Sequence, residues 1–155
     1  MKSADGVRNL RRIVDGEENL FIIVSAMGKT TNALESVFTH MQNGRKREAA
    51  DEIKRIKEYH ASIVDDLWDG HVEIEAVERL FGELHDIAVD TVYRAADAEL
   101  WYDTIVAYGE LISTTIISEY LKFTGIRNRW IDMRAAFVTN QRHKDAYVNI
   151  KVSEP

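Results

Sequence analysis

Residues 21–32 read FIIVSAMGKTTN. Together with Leu20 they make Leu20–Val24 a continuous apolar run between Asn19 and Ser25. Such a run predicts a strand buried on both faces, as in a parallel sheet. Thr30, Thr31 and Asn32 then open a helix whose apolar side holds Leu34, Val37, Phe38 and Met41, and Asn43-Gly44 closes it. A strand, a turn and Gly-Lys-Thr invite comparison with a nucleotide-binding P-loop. That motif needs a glycine five positions before the glycine of Gly-Lys-Thr. Position 23 is Ile23, so the phosphate-cradling loop is missing. What remains is a helix start whose unpaired N–H groups near Gly28–Thr31 suit a carboxylate or a phosphate. Ser25, Thr30 and Thr31 add hydroxyls there, and Lys29 adds positive charge. The plainer alternative is that Thr30 or Thr31 only caps the helix, and the stretch alone slightly favours it.

Outward from this segment the pattern is helical. Ser3 and Asp5 can cap a helix beginning near residue 4, striped by Val7, Leu10, Ile13 and Val14 and stopped at Gly16. From Lys46 to about Phe123 apolar residues recur at three- and four-residue steps, with breaks at Asp69-Gly70 and Ala95-Ala96-Asp97. Gly109 lies inside the last of these patterns, where glycine costs about 1 kcal/mol relative to alanine. A packing or functional reason is expected for it. Gly125 ends that helix. Trp130–Met133 alternates and predicts a second strand ending near Arg134, and Tyr147–Val152 could be a third.

Composition narrows the classes. The chain has 155 residues, 45% of them hydrophobic and 30% charged, enough for one domain. No apolar run approaches the ~20 residues that span a bilayer. The first residues are polar and lack the apolar core of a secretory signal, so a cytoplasmic protein with no membrane partner is expected. There are no cysteines, which excludes disulfides and thiolate metal sites. The net charge of −6 argues against nucleic acid. The basic triplet Arg45-Lys46-Arg47 is followed at once by Glu48, Asp51 and Glu52 and reads as a solvated helix start. The five histidines are scattered, and Glu58/His60 and Glu83/His85 lack the three-residue spacing of di-iron bundles. No metal site is expected.

Two further constellations stand out. In Tyr108-Gly109-Glu110-Leu111-Ile112-Ser113-Thr114, Glu110 sits in an otherwise apolar helix and needs a partner or a polar ligand if buried. The helical phase also allows it an ordinary wet face. Asp132 and Arg134 close the second predicted strand, and ligands of open α/β sheets bind beyond strand carboxyl ends. The alternative for these two is a structural ion pair.

Four blocks, in order, resemble the aspartokinase family: SADGVRNLRRIV (3–14), IVSAMGKTTNAL (23–34), YGELISTTIISEYL (108–121) and GIRNRWIDMRAAFVTN (125–140). The resemblance implies an α/β fold of the amino-acid-kinase type. The chain would be a single partial domain over 1–155, an αβα sandwich rich in helix with few parallel strands and a helical insert at about 46–96. It implies aspartate kinase chemistry, the transfer of the ATP γ-phosphoryl group to the side-chain carboxylate of L-aspartate with Mg²⁺. In the family this is the first step towards lysine, threonine and methionine. Such transfer relies on positioning and charge neutralisation. By position, Ser25 and Thr31 would help to hold the aspartate, and Glu110 would take its α-amino group.

The sequence also departs from the family. The family opens on a Lys-Phe-Gly-Gly-Thr-Ser strand and loop carrying a phosphate-binding lysine, and here Met1-Lys2-Ser3 stands where that segment has ended. The family's later nucleotide-binding loops are not matched either. The expectation is half an aspartate pocket with little of the ATP site, hence an inactive isolated chain that binds neither ATP nor Mg²⁺. Without the first strand, Leu20–Val24 would present an open apolar edge, and such edges recruit partners. A homo-oligomer or strand-exchanged dimer is expected. The alternative is a non-catalytic, helix-rich binding or dimerisation module derived from the kinase fold.

Overall fold

The structure, a computed structural model, describes residues 2–137, Thr139, Tyr147 and Val148. Its elements are α1 (Ala4–Val14), α2 (Thr30–Gln42), α3 (Lys46–Leu67), α4 (Glu75–His85), a π-turn at Asp86–Asp90, a 3-10 turn at Ala95–Asp97, α5 (Ala98–Val106), α6 (Tyr108–Phe123) and the short α7 (Met133–Ala136). Most of the periodic apolar residues make the core, although Ile13, expected on the α1 stripe, is exposed. Val7 and Val14 of α1, Leu34 and Val37 of α2, Ile53, Ile56 and Ile63 of α3 and Leu80 and Leu84 of α4 are all buried. The break at Asp69-Gly70 is real, with Asp69 at φ 53°. The apolar pattern from Trp101 to Tyr120, however, is divided at Ala107 into α5 and α6.

The last long helix is the axis of the fold. Residues on all sides of α6 are buried, including Leu111, Ile112, Ser113, Ile116, Ile117 and Tyr120. A helix apolar all round must be enclosed by other elements. Helices α2, α4 and α5 pack against it, and two extended segments cross it. One is residues 20–26. The other runs from Ile126 to Trp130, with Asn128 and Ser118 exchanging hydrogen bonds of 2.7 and 3.1 Å and Trp130 Nε1 donating to Thr114 Oγ1 at 2.9 Å. The first segment meets α6 at Ser113 through the Ser25 carbonyl and at Glu110 through the Ala26 N–H. Both segments therefore approach the N-terminal half of α6 as the chain proceeds.

That arrangement corrects the strand predictions. Neither Leu20–Val24 nor Trp130–Met133 is a strand. Leu20–Val24 and Trp130–Asp132 carry no regular structure, and among the described residues no ladder forms on either. An extended segment becomes a strand only when its N–H and C=O groups find a neighbour. Met133 instead starts α7, because Asp132 caps it by accepting the Arg134 N–H at 2.9 Å. Of the third predicted strand, Val148 forms an isolated antiparallel bridge with Thr139, and Asn149–Val152 lie outside the described residues. The expectation that Leu20–Val24 is buried on both faces also fails. Phe21 is 67% and Ile23 85% exposed, whereas Ile22 is 40% exposed and Val24 is half-buried. The alternation is that of a strand with one face on the helices and the other bare.

A first prediction follows. Ile23→Lys should change the stability of the 155-residue chain by less than about 0.5 kcal/mol, the usual range for surface substitutions. Were Ile23 buried, a charged replacement would cost several kcal/mol. Urea unfolding of the two proteins separates these cases.

The capping expectations are corrected as well. The Ser3 side chain makes no cap bond; its carbonyl accepts from Gly6 and Val7, while Asp5 pairs with Arg8 at 3.2 Å. Lys29 rather than a threonine occupies the cap position of α2.

One core residue has its own consequence. His60 of α3 is fully buried. Its Nδ1 lies 2.8 Å from the Ile56 carbonyl, which can only accept, so Nδ1 bears the proton. Nε2 has no partner. Burial holds its pKa below the ordinary 6.5, partly opposed by the Ile56 hydrogen bond. The folded chain thus binds this proton less well than the unfolded one. His60 contributes its full stability above pH 6.5 and loses it as pH falls from there through the lower folded value. His60→Leu should flatten the fall in stability over that interval, measured by urea unfolding across pH.

Candidate functional site

The loop at residues 25–29 joins the extended segment to α2, and its shape is fixed from two sides. Gly28 sits at φ +59°, a left-handed conformation that glycine adopts without strain. A Cβ on Gly28 would lie 2.5 Å from the Tyr59 hydroxyl of α3. Met27 is fully buried beneath the loop. Its carbonyl accepts both the Thr30 N–H at 3.1 Å and the Thr30 hydroxyl at 2.6 Å, which closes the turn into α2. Thr30 thus ties back to the loop instead of capping the helix.

The other side is the start of α6. A Cβ on Gly109 would lie 2.8 Å from Ala26 Cβ, 3.3 Å from Leu34 Cδ1 and 3.7 Å from Thr30 Cγ2. This is the packing reason for the helical glycine: only a missing side chain lets α6 approach the loop and the start of α2 together. The approach brings Glu110 Oε1 to 3.1 Å from the Ala26 N–H, which it accepts. Ser113, one turn on and fully buried, shares its hydroxyl proton between the Ser25 carbonyl at 3.1 Å and the Glu110 carbonyl at 3.2 Å.

Two of the residues singled out in the sequence, Ser25 and Glu110, are therefore brought together across 84 or more positions of chain. Thr31 stands in the first turn of α2, next to Thr30 at the same junction. Among the described residues, no protein partner is recorded for the Ser25 or Thr31 hydroxyl. Glu110 gives one lone pair to Ala26 and keeps the rest of its carboxylate for a donor. A negative carboxylate, two hydroxyls and a helix N-terminus at one junction can hold a small molecule bearing both an ammonium and a carboxylate.

Asp132 and Arg134 resolve as the structural alternative. The Arg134 guanidinium lies 3.0 Å (Nε) and 2.7 Å (Nη2) from the two Asp132 oxygens. This pairing holds the Asp132 carboxyl below its usual range and raises Arg134. Burial, more than the carboxylate of Glu83, raises the Tyr108 phenol beside Gly109. For metals, His85, Asp86 and Asp90 offer ligand atoms within 4.8 Å of one another, but both aspartates are exposed and nothing else marks a cation there. No helix among the described residues is long and apolar enough to cross a membrane. Sequence reasoning missed Tyr59 and Gly28 as a pair, and gave Ser113 no role of its own. The spacing Glu110-x-x-Ser113, which places both on one helical turn, is the signal that could have found the serine.

The junction of loop, α2 and α6 has counterparts. Over 139 residues the chain is 27% identical to the lysine-sensitive aspartokinase 3 of Escherichia coli, which covers 89% of this chain and 30% of that protein. The chain is an aspartokinase homologue. It is 33% identical over 132 residues to the chloroplastic aspartokinase 1 of Arabidopsis thaliana, covering 79% of this chain and 22% of the relative. The crystal structure of E. coli aspartokinase III in complex with aspartate and ADP superposes with a TM-score of 0.80 at 25% identity, over 97% of this chain and 33% of that one. The same enzyme in complex with lysine and aspartate gives a TM-score of 0.81. No family model matches the chain. The homologue therefore spans about a third or less of the length of these aspartokinases, and its fold is that of the corresponding portion.

Proposed function

We propose that residues 1–155 form a single partial amino-acid-kinase domain, with a helical insert at about 46–96, that supplies the acceptor side of an aspartate kinase. In this reading the domain is part of an αβα sandwich in which 20–24 becomes a strand when a neighbour pairs with it. Glu110 takes the α-amino group of L-aspartate, and the Ser25 and Thr31 hydroxyls with the N-terminus of α2 take its carboxylate groups. The reaction served is ATP-dependent phosphorylation of the aspartate side-chain carboxylate. The observation that carries the reading is the hydrogen bond from Ala26 N–H to Glu110. It joins two of the motifs that resemble the family at one junction and leaves the second Glu110 oxygen without a protein partner among the described residues.

Ile23 stands where a phosphate loop needs glycine, which argues against an ATP site of the P-loop type at this junction. Turnover by residues 1–155 alone is not expected. A second reading, self-association through the bare face of 20–24, is favoured by the exposure of Phe21 and Ile23.

The test is thermal unfolding of the chain with L-aspartate and with succinate, which lacks the ammonium. A ligand that binds only the folded state raises the melting temperature with its concentration. L-aspartate should stabilise and succinate should not. Equal effects, or none, would overturn the assignment of Glu110.

A further inference from the structure

We propose that Tyr59, on the helical insert, is a positioning residue that sets the acceptor loop by bracing it against Glu110. The loop at 25–29 is held between two walls. One wall is the α6 start, where Ala26 touches Gly109 and donates to Glu110. The other is Tyr59, whose hydroxyl occupies the space where a Gly28 side chain would be. That hydroxyl is itself fixed, because it donates to the Lys2 carbonyl at 2.8 Å just before α1. Its ring is held edge-on to buried His60 at 5.0 Å. One phenol thus ties together the chain entering α1, the loop and the insert helix α3. Gly28 is left-handed at the point where this hydroxyl presses, so the loop cannot retreat from it without leaving its turn.

The functional meaning of this brace rests on the acceptor-site reading, but its mechanics do not. Loss of the hydroxyl frees the Lys2 carbonyl and removes the wall behind Gly28. Ala26 should then dwell less on Glu110. The ring stays, so the packing of α3 should survive.

Two experiments test it. In the first, amide hydrogen exchange is compared between the chain and Tyr59→Phe. Exchange at Ala26 should speed up by about five-fold, the weight of one typical hydrogen bond, while the amides of α3 around Ile56 keep their rates. Equal acceleration at Ala26 and throughout α3 would mean that Tyr59 only stabilises the fold, and would overturn the proposal. No acceleration at Ala26 would overturn it too. In the second, Gly28→Ala is combined with Tyr59→Phe. Gly28→Ala should speed Ala26 exchange sharply because the new Cβ meets the hydroxyl, and Tyr59→Phe should recover part of that loss. Recovery of nothing would contradict the contact. Aspartate affinity, read in parallel, should weaken with Tyr59→Phe. If the parent chain binds no aspartate while the exchange results hold, the acceptor reading fails and the brace stands.

Discussion

Gly109→Ala is expected to destabilise the chain and to open the site, although alanine is the better helix former. Alanine returns up to about 1 kcal/mol in a helix interior. Here its Cβ would sit 2.8 Å from Ala26 Cβ and 3.3 Å from Leu34 Cδ1. Ala26 has no flexible end to swing away, so the loop or the α6 start must move. Overpacking of this kind costs about 1–3 kcal/mol. The net loss should appear in urea unfolding, and Ala26 N–H should lose its bond to Glu110. Gly82 of α4 is the matched control, since nothing lies within 4 Å of the Cβ it would gain. Gly82→Ala should stabilise by up to about 1 kcal/mol. Equal behaviour at the two positions would mean that α6 does not approach the loop as closely as described.

Glu110→Gln is expected to weaken L-aspartate by about 10- to 100-fold, the worth of about 1.5–3 kcal/mol for a hydrogen bond to a charged group. The amide oxygen can still accept the Ala26 N–H, so stability should change little. Calorimetric titration measures the first and urea unfolding the second. A large stability loss with unchanged affinity would make Glu110 a structural carboxylate that merely ties the loop down.

The helices were legible in the sequence because their signal is local. The apolar steps of α2, α3 and α4 reflect one face turned to one core, and Leu34, Val37 and Met41, expected on the apolar side of α2, are buried there, with Phe38 half-buried beside them. The strands were not, for the opposite reason. Leu20–Val24 has the composition of a buried strand, but a strand is made by its neighbours. The residues described here give it helices on one side and nothing on the other. The site was half legible. Ser25 and Glu110 could be singled out as polar groups in apolar surroundings, and Gly109 as a glycine that helix propensity does not explain. Their meeting could not be read, because the close approach of Gly109 to Ala26, where an added Cβ would lie 2.8 Å from Ala26 Cβ, joins positions more than eighty residues apart. Tyr59 was invisible for the same reason. In sequence it is one more aromatic residue on a helix, and only the left-handed Gly28 beneath its hydroxyl gives it a task.

The most direct measurement of the central claim is the Ala26 amide resonance of the isotope-labelled chain as L-aspartate is added. An acceptor site built on Glu110 requires that resonance to shift saturably with L-aspartate, together with those of Ser25 and Thr31, and to stay still with succinate. If these amides ignore L-aspartate while the chain is folded, the junction of the loop, α2 and α6 is not an acceptor site in this chain.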